Sequence, residues 1–151
     1  MYHKIMVPLD GSQLAECVLP HVRTIARGCS DPVSIVLLRA IEPPLQHADD
    51  YTFTGDQQQR EKELSDRKAA SDDYLNQVAQ RLRGEGMSVE TQVVIGKAAE
   101  SLSDFAEQNE VDLIVIATHG RSGISRWVRG SVADRILQSA HVPVMMVRAT
   151  Q

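Results

Sequence analysis

Residues suited to chemistry gather in two stretches of this chain. Pro8-Leu9-Asp10-Gly11-Ser12 follows an apolar run and sets a carboxylate, a glycine and a hydroxyl in succession. Ala117-Thr118-His119-Gly120-Arg121-Ser122-Gly123 follows another, and Gly130-Ser131 comes after Ile124-Ser125-Arg126-Trp127-Val128-Arg129. Gly120 and Gly123 permit positive φ and close backbone approach, so their amides can face phosphate oxygens. Gly130-Ser131 opens a helix whose unpaired amides and positive dipole end favour negative charge. The same residues also fit plain structure: glycines turn chains, and Ser131-Val132-Ala133-Asp134 reads as a capping box with Asp in place of the usual Glu. Arg121, Arg126 and Arg129 either neutralise a polyphosphate, for which the guanidinium fork is suited, or are simply solvated. Asp10 either accepts hydrogen bonds from a ribose hydroxyl or caps the first helix with Ser12. His119 either contacts a ligand or fixes its loop.

Other nucleotide and catalytic signatures fail. Gly96-Lys97 has no upstream P-loop glycine and is followed by Ala98, so neither a phosphate-binding lysine nor a magnesium-binding hydroxyl is in place. Gly84-Glu85-Gly86 precedes a strand and lacks the third glycine of a dinucleotide fingerprint. A phospho-acceptor site of receiver type needs an acidic pair after the first strand, where Leu9-Asp10-Gly11 supplies one acid. No His/Glu cluster has metal spacing and no Ser-His-Asp set is discernible. No residue is therefore assigned a catalytic or metal-ligating role.

The elements that must position these stretches alternate. Five strand-like runs, His3–Pro8, Val33–Ile41, Ser88–Ile95, Val111–Ala117 and Val142–Val147, are separated by helical patterns. A helix is expected from the Ser12 cap to about Arg27, kinked at Pro20. Glu42–Gln58, with Pro43, Pro44 and Gly55, reads as a long loop. Gln59–Arg83 reads as a long amphipathic helix with a charged outer face. Nearly continuous apolar strands alternating with helices imply one open parallel sheet with helices on both faces. An antiparallel α+β sheet would show more polar alternation. Ligands of such sheets sit beyond the carboxyl ends of the strands, where strand order reverses. If strands one and four are neighbours there, both stretches border one crevice.

Sixteen Lys and Arg against twenty Asp and Glu leave 151 residues with a charge of -4, which disfavours nucleic acid and anionic membranes as partners. The length suits a single domain over 1–151, and 42% hydrophobic with 24% charged residues is ordinary globular composition. Cys17 and Cys29 are too few for a disulfide framework. Val33–Leu38, broken at Arg39, is too short to span a bilayer, and no signal-peptide core precedes Pro8 and Asp10, so a cytoplasmic protein is expected.

Ile5-Met6-Val7-Pro8-Leu9-Asp10-Gly11-Ser12, Asp112–Gly123, Gly130-Ser131-Val132-Ala133 and Val142-Pro143-Val144 together resemble the universal stress proteins, in register over essentially the whole chain. The resemblance implies a Rossmann-like α/β fold with strand order 3-2-1-4-5. The family's ATP-binding members carry Gly-x2-Gly-x9-Gly-Ser/Thr; Gly120, Arg121–Arg129 and Gly130-Ser131 match its later parts, while Ala117 replaces its first glycine. A methyl group at that position disfavours positive φ. The resemblance implies that Pro8, Asp10 and Ala40 line the adenine and ribose end, Ile116, Ala117, His119 and Gly120 the middle, and Gly130, Ser131 and Val132 the phosphates. Gly123 and Arg129 are expected to belong to the same cradle. It also implies ATP, with or without Mg²⁺, as the ligand, and a homodimer through strand 142–147, where Pro143 suits an edge. The leading reading is a regulatory nucleotide-binding module. The alternatives are a slow ATPase relying on Asp10 or His119, and a ligand-free interaction protein marked by Ala117. The downstream partner and the stress are not named by these residues.

Overall fold

The computed structural model describes residues 1–43, 54–119 and 132–149. In chain order these form β1 (Lys4–Pro8), a 3-10 turn (Ala15–Val18), α1 (Leu19–Gly28), β2 (Ser34–Ile41), α2 (Thr54–Gly84), β3 (Ser88–Ile95), α3 (Ala98–Gln108), β4 (Leu113–His119), α4 (Val132–Ser139) and β5 (Val144–Ala149). The strands make one five-stranded sheet in the order β3-β2-β1-β4-β5, every pairing parallel. The expected strand order stands, and the antiparallel alternative is excluded.

The apolar runs become buried strands because the sheet is covered on both faces. On one face Ile5, Val7, Ile35, Leu37, Leu113 and Val115 pack with Val18 and Val22 of the 3-10 turn and α1 and with Leu75, Val78 and Leu82 of α2. On the other, Met6, Leu38, Ile114 and Ile116 meet Leu102 and Ala106 of α3 and Ala133 and Ile136 of α4. Strand alternation sends successive side chains to opposite layers.

Two expectations about helices are corrected. The first helix is not one kinked rod from Ser12. A 3-10 turn comes first, and Pro20 lies in the opening turn of α1, where its missing N–H deprives the helix of nothing. The loop expected over Glu42–Gln58 ends earlier, since α2 already begins at Thr54; its remaining part, 44–53, lies outside the described residues. The fully buried part of the amphipathic stripe of α2 lies in its C-terminal half, with Leu64 half-buried against the same layer further back. Ser71, Leu75, Val78, Ala79 and Leu82 are buried at helical spacing, whereas 57–70 carry no buried residue. Glu85, just beyond α2, binds Arg23 at 2.9 Å and Arg27 at 3.2 Å, tying the end of α2 to α1.

The turn from α3 into β4 uses a non-glycine residue with positive φ, Glu110 at 55°. Val111 N–H donates to the Ala106 carbonyl at 3.2 Å, closing a Schellman motif in which Val111 is buried. At the amino ends of the strands, the Asp112 carboxylate accepts from the backbone amides of His3 at 2.7 Å and Lys4 at 3.2 Å.

Candidate functional site

The strand order reverses between β1 and β4, and there the sheet opens. Their register covers Ile5–Leu113 and Met6–Ile114 only, whereas β1 and β2 stay paired to Pro8–Leu38. Leu9 N–H extends that second pairing by donating to the Leu38 carbonyl at 2.9 Å. The carboxyl ends of β1 and β4 therefore part, which is the crevice expected of an open parallel sheet at its switch point.

Several of the residues singled out from the sequence meet at this opening. Pro8 is buried at the end of β1, on the side of Met6. Ile116 and Ala40 belong to the same α3–α4 layer, Ile116 buried and Ala40 half-buried. Continued by two residues, the β1–β4 register would set Pro8 level with Ile116. Ala117 does not share this face: its side chain packs against the opposite layer. It is an ordinary strand residue paired with Val147, and Glu110 is the one non-glycine with positive φ among the described residues. An alanine at 117 therefore costs the backbone no strain.

His119 ends β4, in register with Ala149. Val132 begins α4 and is 39% exposed. Because α4 follows β4, its N-terminus lies at the carboxyl edge of the sheet, the end at which a helix favours anions. Gly120, Gly123, Arg129, Gly130 and Ser131, with Arg121 and Arg126, lie outside the described residues.

The turn after β1 is a small hydrogen-bonded device. Asp10 Oδ1 accepts from Ser12 N–H at 2.8 Å and from the Ser12 hydroxyl at 2.6 Å. Ser12 Oγ in turn accepts from Ala15 N–H at 3.1 Å, the first amide of the 3-10 turn. Gly11 between them has φ of +89°, which closes this Asx turn in a conformation glycine adopts freely. Asp10 thus does take part in capping, through Ser12. Its side chain is exposed beyond the end of β1.

Three residues beside this turn carry no role in the sequence reading. Arg39 of β2 lays its guanidinium over Gly11, and its Cζ stands 5.8 Å from the centre of the Tyr74 ring. The Tyr74 hydroxyl donates to Glu16 Oε1 at 3.1 Å, and Arg81 Nη2 meets Glu16 Oε2 at 2.6 Å. Burial pushes the Tyr74 phenol well above its usual range, aided by the Glu16 carboxylate and, at longer range, Asp10; Arg39 opposes them. The available signal was Arg39 itself, a charge breaking the apolar run of β2. No group of three or more His, Cys, Asp or Glu is placed to hold a metal among the described residues.

An open parallel sheet covered by helices on both faces, with its strand ends parted beside a carboxylate turn, defines a doubly wound α/β protein. The profile of the universal stress protein family matches residues 1–148, and the chain belongs to that family. Universal stress protein MJ0531 of Methanocaldococcus jannaschii is 29% identical over 98% of this chain and 83% of its own length. Among solved structures, MJ0577 of the same organism superposes with a TM-score of 0.81 at 22% identity, covering 100% of this chain and 99% of that one. A universal stress protein in complex with cAMP gives 0.71 at 19% identity over 99% and 98% of the two chains. An Arabidopsis thaliana family protein with AMP bound gives 0.66 at 16% identity over 98% and 92%.

Proposed function

We propose that this protein is a single-domain, cytoplasmic regulatory module of the stress response that binds an adenine nucleotide, ATP with or without Mg²⁺, and hydrolyses it little or not at all. The observation that carries the reading is the parting of β1 from β4 at their carboxyl ends, with the Asp10 turn at its mouth. The cAMP and AMP carried by similar folds support an adenine ligand. In this reading Pro8, Ala40 and Ile116 line the base and ribose end. Ala40 is small and leaves room for the base. Asp10 accepts from the sugar, and the Gly120–Ser131 segment with the start of α4 at Val132 receives the phosphates. Ala117, extended and turned to the opposite layer, does not obstruct this arrangement.

The homodimer would use β5. It is the outer strand of the sheet, its Val144–Val147 are half-buried, and an edge strand offers backbone groups for pairing with a second copy. Light scattering should then give twice the 16.7 kDa chain mass, and the mass of one chain would refute it.

Calorimetric titration of nucleotide-stripped protein with ATP, with and without Mg²⁺, tests the main reading. Binding in the micromolar range, abolished by Gly130→Asp, is expected. No heat at millimolar ATP from folded, stripped protein would overturn it and leave an interaction protein that keeps the fold.

A further inference from the structure

Arg39 is an unusual occupant of a covered strand. It follows the buried Val36, Leu37 and Leu38 and is itself half-buried, so its head group is held by specific neighbours rather than left wholly in solvent. Its engagement is specific. A Cβ placed on Gly11 would meet Arg39 Nη1 at 2.9 Å, Cζ at 3.2 Å and Nη2 at 3.3 Å, so the guanidinium closes over the bare Cα of the turn. The Tyr74 ring stands beside the same guanidinium and is anchored through its hydroxyl to Glu16, which Arg81 also binds. Gly11 follows Asp10 directly, so the guanidinium lies beside the carboxylate turn.

We infer that Arg39 is the positioning residue of the Asp10 turn: its guanidinium, braced on Tyr74, fixes the carboxylate in the orientation that reads the sugar hydroxyls of a bound nucleotide. This rests on the nucleotide reading above. Ser12 uses Oδ1 twice, which sets the rotation of the group about its turn. The cover over Gly11 keeps the turn from relaxing, so recognition of the sugar loses little to reordering. Arginine suits the task because its planar group both stacks on a ring and lies flat on a glycine.

The test compares wild type with Arg39→Met, which keeps the length of the stem and removes the fork. Each is titrated with ATP, 2′-deoxyATP and 3′-deoxyATP. Wild type is expected to prefer ATP over one of the deoxy forms by about tenfold, the worth of a hydrogen bond to a charged group. In Arg39→Met that preference should fall to about twofold or less, because ATP weakens about fivefold while the disfavoured deoxy form binds as before. Amide exchange at Ser12 in the nucleotide-free variant should quicken by about tenfold, with circular dichroism unchanged. A merely structural arginine would weaken all three nucleotides together and leave their ratio intact. A wild type that discriminates alongside a variant with the same ratio overturns the inference and spares the nucleotide reading. Wild type that binds without discriminating also overturns it. Wild type that binds no nucleotide overturns both.

Discussion

Gly11→Ala probes the point where the candidate site demands backbone freedom. With φ at +89°, an alanine there occupies a region that costs an L residue about 1–2 kcal/mol. Its methyl would fall 2.9 Å from Arg39 Nη1, a flexible end that can swing away. Doing so gives up the contact with Tyr74, about 0.5–1 kcal/mol for a partly exposed cation over a ring. Alanine also restricts the unfolded chain, which returns about 0.4–1 kcal/mol. The net loss is about 1–2 kcal/mol, or roughly 2–8 °C in Tm for a chain of this size. Urea denaturation followed by far-ultraviolet circular dichroism would show a lower midpoint with unchanged slope. Gly28→Ala is the control: it ends α1 with nothing within 4 Å of the added methyl, so it should be neutral or stabilising. In an Arg39→Ala background the Gly11→Ala cost should shrink by the Tyr74 share. A Gly11→Ala protein as stable as wild type would refute the placement of both the turn and Arg39.

Three further outcomes follow from other parts of the fold. Glu110→Gly should raise stability by about 0.5–1 kcal/mol, because glycine relieves the positive φ of the Schellman turn, while Glu110→Val should lower it; urea midpoints decide. Leu75→Ala, at a fully buried position of α2, should cost about 2–5 kcal/mol, whereas Gln77→Ala on the exposed side should stay within about 0.5 kcal/mol, measured in the same way. Tyr74 has a folded pKa raised above its unfolded value, so its contribution is present below about pH 10 and is lost as pH rises through the folded value. Wild type should lose stability above about pH 10 more steeply than Tyr74→Phe, and equal slopes would contradict the placement of Tyr74.

Much of the sheet is legible because burial on both faces writes itself as apolar runs. Ser88–Ile95 coincides with β3, and Val33–Ile41 differs from β2 by one residue. The runs at Val111–Ala117 and Val142–Val147 begin two residues before β4 and β5, since apolar residues enter the core before ladder pairing starts. Helix starts are less legible. Ser12 does accept a hydrogen bond from Ala15 N–H, as a cap should, but the turn it caps is 3-10, and Pro20 then opens a separate α-helix. Gly55 suggested a loop, yet α2 runs through it, carried by neighbours with good helical propensity such as Gln57 and Gln58.

At the site, Pro8 and Asp10 were legible from their place at a strand end. The orientation of Ala117 was not, because it depends on the parity of β4 against the two helical layers. Arg39, Tyr74 and Glu16 were missed because they come from three distant segments that only the packing of α2 brings together.

The central claim is that a nucleotide sits where β1 and β4 part. The measurement that tests it most directly is an amide chemical-shift titration of the labelled protein with ATP. Shifts should concentrate at Leu9–Ser12, Ala40 and Ile116–His119, with little change at the amino ends of the strands around His3 and Asp112. Shifts confined to the exposed face of α2, or none at saturating ATP, would contradict it.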